Sequence, residues 1–176
     1  MTYEVRPGAP GDVGAVEHVR VTTWKSAYRG IMPDDYLDAL AVEPDAVSGM
    51  EAGLAAALDE GRVPLLVGEA GGGVAGFANF GRCHDEEIGG GEVFALYVLP
   101  ESQSGGLGRA LLTAAVERLR ADGHEEAGLW VASGNTRARR FYECFGFVPS
   151  GRTKSLPEPF PPVEEIHYTL SLNPLL

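Results

Sequence analysis

The sequence predicts one mixed α/β domain spanning residues 1–176, built on a sheet of about seven strands with a parallel crossover in its second half. Three observations lead there. The hydrophobic pattern has a helical period up to Gly61 and then turns to short β-like runs broken by helices. The triplet Gly71-Gly72-Gly73 joins "VPLLVGEA" to "GVAGFANFGRC" as a hairpin link would. Further on, "GEVFALYVL" passes through "PESQSGG" into an amphipathic stretch, the strand–turn–helix order that a parallel crossover needs.

In chain order, "YEVRPG" reads as a first strand and residues 10–25 as a helix with Asp12 in its N-terminal turn. "TWKSAYRGIMPDDYLDAL" continues at helical spacing, interrupted at Gly30 and Pro33. A further helix covers about 43–60 and stops at Gly61. The hairpin and the strand "GEVFALYVL" follow. Leu107, Leu111, Ala115 and Leu119 then share one face of a helix that ends at Gly123. "AGLWVAS" is the next strand, and "NTRARRFYECFG" a short helix with Asn135 as N-cap and Gly146 past its end. "FVPSGRT" and "VEEIHYTLSL" close the chain as two strands around "KSLPEPFPP".

Composition narrows the function classes. With 44% hydrophobic and 22% charged residues the chain is an ordinary globular one, large enough for a sizeable core. A net charge of −11 argues against nucleic-acid binding, which needs clustered Lys and Arg; it permits a cationic small-molecule partner, while acidity more often serves solubility. No apolar run reaches membrane-spanning length, and "MTYEVRPGAPGDVG" lacks a signal pattern, so a cytoplasmic protein is expected. Cys83 and Cys144 have no metal or redox spacing and read as free thiols, buried or half-buried. No metal site is visible.

The glycine turn carries the first functional signal. A strand running into glycines at a helix start presents free N–H groups and the positive end of the helix dipole, an anion site. A P-loop would need Gly-Lys-Ser/Thr, whereas Gly108 precedes Arg109 and Ala110. A dinucleotide fingerprint would need a small residue where Leu111 stands. Gln103-x-x-Gly106-x-Gly108 fits a pyrophosphate cradle, with a ligand-free tight turn as the plain alternative.

"EVFALYVLPESQSGGLGRALL" resembles the acetyl-CoA motif of the GNAT superfamily of N-acetyltransferases, Gln/Arg-x-x-Gly-x-Gly/Ala after a strand ending Tyr-Val-x-Pro. "GNTRARRFYECFGF" resembles the family's second signature, Asn-x-x-Ala-x-x-Phe-Tyr-x-x-x-Gly-Phe. Gln103 precedes Asn135 by 32 positions, with one helix and one strand between, as the family has it. The resemblance is tight over 92–148. It implies a GNAT-type, mostly antiparallel sheet with flanking helices and a central parallel crossover at the acetyl-CoA site. It also implies direct attack of a primary amine, on a small molecule or peptide, within a ternary complex.

The same resemblance assigns roles. Gln103, Ser104, Gly105, Gly106, Leu107, Gly108 and Arg109 wrap the diphosphate. Leu96, Tyr97 and Val98 offer main-chain groups to the acetyl carbonyl and the pantetheine arm, and Asn135, Ala138 and Tyr142 line the same groove. Gly105 departs from the basic residue common in relatives, which removes a side-chain phosphate contact but leaves the main-chain cradle. Arg137, Arg139 and Arg140 are either phosphate-attracting or a solvated helix face.

Acetyl transfer to an amine needs a proton acceptor, oxyanion donors and a donor to the leaving thiolate. Tyr142, protonated at neutral pH and two helical turns past Asn135, is the implied acid; packing beside Phe141 and Phe145 is its plain reading. Glu92 is the implied base, against a solvated carboxylate at a strand start. His84, Asp85, Glu86 and Glu87 compete with it, and His167 reads as a packed histidine. For the acceptor, Trp24, Tyr28, Met32 and Tyr36 are expected to line an apolar slot, with Glu86, Asp34 or Asp35 drawing in a cation; core packing is the plain reading of the same spacing. A homodimer is expected because relatives often dimerise. A non-catalytic acyl-CoA sensor and an O-acyl or longer-acyl transferase are the competing readings.

Overall fold

A computed structural model describes residues 2–173. Strand β1 (Tyr3–Pro7) leads through a 3-10 turn at Pro10–Asp12 into α1 (Val13–Ala27), α2 (Asp34–Ala39) and α3 (Pro44–Asp59). Strands β2 (Leu65–Ala70), β3 (Gly73–Arg82) and β4 (Gly91–Val98) follow, then α4 (Leu107–Ala121), β5 (Glu126–Ala132), α5 (Thr136–Phe145), β6 (Val148–Ser155) and β7 (Glu164–Ser171). The seven strands form one sheet in the order β1-β2-β3-β4-β5-β7-β6, antiparallel throughout except for β4 and β5.

Local sequence explains the elements. The β2–β3 link is Gly71-Gly72, both at positive φ (64° and 88°), as a two-residue hairpin turn requires. At α5, Asn135 Oδ1 accepts from Ala138 N at 3.1 Å, and Gly146 closes the helix at φ 119°. Asp12 sits at the start of α1, where it accepts from Ala9 N at 2.8 Å and pairs with Arg6 at 2.7 Å.

The sheet separates two cores. Leu107, Leu111, Leu112, Ala115 and Leu119 press α4 against one face, together with Val93, Leu129, Tyr142 and Tyr168. On the other face Val13, Val16 and Val19 of α1 meet Leu65, Val67 and Phe77, and a third cluster joins Trp24, Met32 and Leu37 to Ala132. The expectation of two sheltered thiols holds for one only. Cys83 is buried, which pushes its thiol up to about 11, whereas Cys144 lies exposed on the outer side of α5. None of the described helices is long and apolar enough to cross a membrane.

Close packing at β3 makes one glycine obligatory. A Cβ on Gly76 would meet the Tyr97 carbonyl oxygen at 2.9 Å, Val98 Cγ2 at 3.0 Å and Leu111 Cδ1 at 3.1 Å. Gly53, inside α3, has nothing within 4 Å. Gly76→Ala is expected to cost about 1–3 kcal/mol through overpacking. Gly53→Ala should gain about 0.5–1 kcal/mol. Urea unfolding of both variants checks the pair.

Candidate active site

Strands β4 and β5 pair through Gly91–Ala127 and Glu92–Gly128 and then part. A bulge in β4 opposite Asn79 and Phe80 leaves Phe94 as the extra residue just where the strands separate. The opening is a cleft of about 730 Å³ lined along one wall by residues 93–98 of β4 and closed by Trp130, Val131, Asn135, Ala138 and Tyr142. Leu99 N donates to Ala75 O at 2.8 Å, so strand alternation turns the main-chain groups of Leu96 and Val98 away from β3, toward the cleft. The Val98 carbonyl accepts from Gln103 Nε2 at 2.9 Å and from Thr23 Oγ1 at 3.5 Å. The Leu96 and Val98 N–H groups remain open to an incoming oxygen.

At the C-terminal end of β4 the chain makes a 3-10 turn, Pro100–Ser102, and enters α4 through Ser104 (φ 66°) and Gly106 (φ 89°). The first main-chain bond of the helix runs from Ala110 N to Gly106 O at 3.0 Å. Among the described residues, the N–H groups of Ser104 through Arg109 have no main-chain acceptor. Six donors around one helix start are an oxyanion cradle by construction. At Gly108 a Cβ would sit in ordinary contact with Val98 and Phe141, at 3.6 and 3.8 Å. The donors, the dipole and the narrow cleft leading from them fit a diphosphate attached to a slim thiol arm. The Arg109 guanidinium lies over the Phe145 ring at 5.4 Å, and Arg137 borders the cleft. Arg139 instead bonds Tyr168 Oη and Ser133 O, at 3.1 and 3.2 Å, and is structural; Arg140 points to solvent.

Tyr142 joins both of its readings. It packs edge-on against Phe141 and Phe147, at 5.3 and 6.0 Å between ring centres, and it also borders the cleft. Burial raises its pKa, so the phenol keeps its proton at working pH.

On the opposite side of the sheet, the Trp24 and Tyr28 rings meet at a tilt, 5.1 Å between centres, and Tyr28 and Tyr97 line the cleft. Burial likewise raises the pKa of both tyrosines. Trp24 Nε1 is near the Tyr97 hydroxyl but falls short of hydrogen-bond geometry, leaving that indole N–H buried without a partner. Trp24 and Met32 are buried in one core cluster, and Glu86 is exposed on the β3–β4 loop; of the four residues expected to line the acceptor slot, Tyr28 alone borders the cleft. Glu92 sits half-buried at the paired end of β4, outside the cleft lining. His84 stacks on Phe94 at 4.9 Å, at the rim.

Trp130 is a cleft residue that sequence reasoning passed over. In "AGLWVAS" the apolar residues 127, 129 and 131 face the α4 core, and Trp130 projects from the other face. That alternation was the available signal. His167 packs on it at 4.8 Å and shares a hydrogen bond with Ser150 Oγ at 2.8 Å through Nδ1.

The site is thus a parallel strand pair that splays beside a glycine-bearing helix start. The chain belongs to the acetyltransferase (GNAT) family, whose model matches residues 24–147. It is 35% identical over 145 residues to the uncharacterized N-acetyltransferase YuaI of Bacillus subtilis, covering 80% of this chain and 78% of that protein. PaiA N-acetyltransferase from Thermoplasma acidophilum, solved in complex with coenzyme A, superposes with a TM-score of 0.75 at 20% identity, over 97% of this chain and 99% of that one. yncA from Salmonella typhimurium, solved with its cofactor acetyl-CoA, gives a TM-score of 0.72 at 22% identity, over 100% and 97%. At these identities the likeness is one of fold.

Burial of His167 lowers its pKa below the ordinary value of 6.5. The unfolded chain therefore takes up a proton that the folded one resists. Stability from neutral His167 is complete above pH 6.5 and falls as pH drops toward the depressed value. His167→Gln is expected to flatten the pH dependence of the melting temperature below pH 6.5, measured from pH 7.5 to 5.

Proposed function

We propose that the protein transfers the acetyl group of acetyl-CoA to a primary amine, by direct attack within a ternary complex. The observation that carries this reading is the continuity of one cleft. It runs from the donor-rich helix start at Ser104–Arg109, past the free N–H groups of β4, to the aromatic wall of Tyr28, Tyr97 and Trp130.

Each residue then has a task. The N–H groups of Ser104–Arg109 bind the diphosphate of coenzyme A, helped by the dipole of α4 and by Arg109 and Arg137. Gln103 acts by holding the end of β4 through Val98 O. Leu96, Tyr97 and Val98 seat the pantetheine arm and the acetyl group, with the Val98 N–H donating to the carbonyl oxygen as negative charge grows on it. Asn135 and Ala138 form the facing wall. The amine nitrogen attacks the thioester carbonyl carbon, the C–S bond breaks, and Tyr142 donates its phenolic proton to the departing thiolate. The proton released by the amine passes to a carboxylate on the acceptor side, where Glu92 is the residue that the family resemblance suggests. A raised tyrosine pKa suits the donor role in one respect: the proton is present when the thiolate forms.

A thiol-release assay with acetyl-CoA and a panel of amines, alcohols and longer acyl donors tests the proposal. Thiol release with amines and acetyl-CoA is the expected result. Coenzyme A binding without release from any acceptor would instead identify an acyl-CoA sensor, and release only with alcohols or longer acyl donors would reassign the chemistry. Tyr142→Phe should lower turnover by about 100-fold with coenzyme A affinity nearly retained. An unaltered rate would remove Tyr142 from the mechanism.

A further inference from the structure

Beside the cleft, whose lining includes Trp130 but not Lys154 or Glu165, and on the face shared with Tyr28 and Tyr97, the protein holds one of its own ammonium groups. Lys154 Nζ lies over the Trp130 ring at 4.2 Å from its centre and 3.9 Å from Glu165 Oε2. The indole face and the carboxylate are the two chemistries that bind an alkylammonium. They differ in mobility from the cation they hold. The Glu165 side chain is 14% exposed, whereas that of Lys154 is 43% exposed on β6, whose residues are all exposed. The seat is fixed by the sheet, and its present occupant is a flexible side chain able to swing into solvent.

Strand register puts this seat at the height of the chemistry. Glu92 stands level with Gly128 at the closed end of the cleft. Ala132 lies four residues beyond Gly128, just as Leu96 lies four beyond Glu92, and Glu165 is the strand partner of Ala132. Allowing for the extra residue Phe94 in β4, Glu165 therefore stands level with the Leu96–Tyr97 segment, and Glu92 about four residues nearer the paired end of the strands. Ala132 belongs to the Trp24 cluster, with Tyr28 and Tyr97 packed against it, so Glu165 projects on that same face. The charged and titratable groups around Glu165 are Lys154 from β6, Glu92 and Tyr97 from β4, and Tyr28 at the end of α1. Burial and Glu92 both disfavour the charged carboxylate, and Lys154 favours it. A carboxylate so placed gains from any cation brought to it.

We infer that the Trp130 face and the Glu165 carboxylate form the seat of the acceptor's ammonium group, and that Lys154 is an in-chain stand-in which the acceptor displaces. The inference rests on the amine-acceptor reading and deepens it. The acceptor is a primary alkylammonium, it enters protonated, and Glu165 is the carboxylate nearest its nitrogen.

Calorimetric titration of the coenzyme A-bound protein with n-butylamine, and with 1-butanol as the neutral isostere, tests this at pH 7.5. Butylamine is expected to bind and butanol not. Lys154→Met should tighten butylamine binding several-fold by removing the competitor, an effect opposite in sign to that of losing a merely structural ion pair. Glu165→Gln should weaken it about tenfold or more, and by a larger factor than Glu92→Gln. Equal binding of amine and alcohol, absence of amine binding, weaker binding in Lys154→Met, or a larger loss in Glu92→Gln than in Glu165→Gln would each overturn the inference. Because the readout is binding, absence of thiol release with intact amine binding would count against acetyl transfer alone.

Discussion

Everything in the site follows from the parting of β4 and β5 after two residue pairs. Strands in a sheet normally cancel one another's main-chain donors and acceptors, and an uncancelled pair of edges inside a protein is costly. Here the edges at Leu96–Val98 and Trp130–Ala132 are left facing a cleft. The bulge at Phe94 turns β4 away, and Gln103 and Thr23 satisfy Val98 O, so that the open groups are reduced to those an acyl group and its thiol arm can use. Close glycine packing at Gly76 and Gly91 anchors β3 and β4 to α4 and keeps the divergence in one place.

The two ends of the cleft use opposite physics. At one end neutral backbone donors and a helix dipole gather around an anion, which explains how an acidic protein of net charge −11 can bind a polyphosphate without a basic patch. At the other end aromatic faces and half-buried carboxylates favour a cation. On the proposed reading, donor and acceptor of opposite charge enter from opposite ends of the cleft, and Tyr142 and the β4 N–H groups border the stretch between them.

Much of this was legible in the sequence, and particular residues show why. Periodicity placed Leu107, Leu111, Ala115 and Leu119 on the buried side of α4, and the cap residues Asn135 and Gly146 bounded α5, because these signals depend on neighbours in the chain. Gln103 and Asn135, which the family resemblance paired, both border the cleft. The acceptor side was less legible. Trp130, Lys154 and Glu165 come from three different strands and meet only through the pairing of β5, β7 and β6, which no local pattern encodes. Met32 continues the four-residue spacing of Trp24 and Tyr28, but α1 ends at Ala27, so Met32 lies in the turn before α2 and is buried in the same cluster as Trp24. Glu86 was attractive for its charge alone and lies on an exposed loop.

On the proposed function, the parted strand edge and the α4 start form a single donor channel. Amide hydrogen exchange with and without coenzyme A tests it most directly, because it reads the unpaired N–H groups themselves. The account predicts slowed exchange at Leu96, Val98 and Ser104 through Arg109, with the β1–β2 edge unaffected. Unchanged exchange at those amides in the presence of saturating coenzyme A would contradict it.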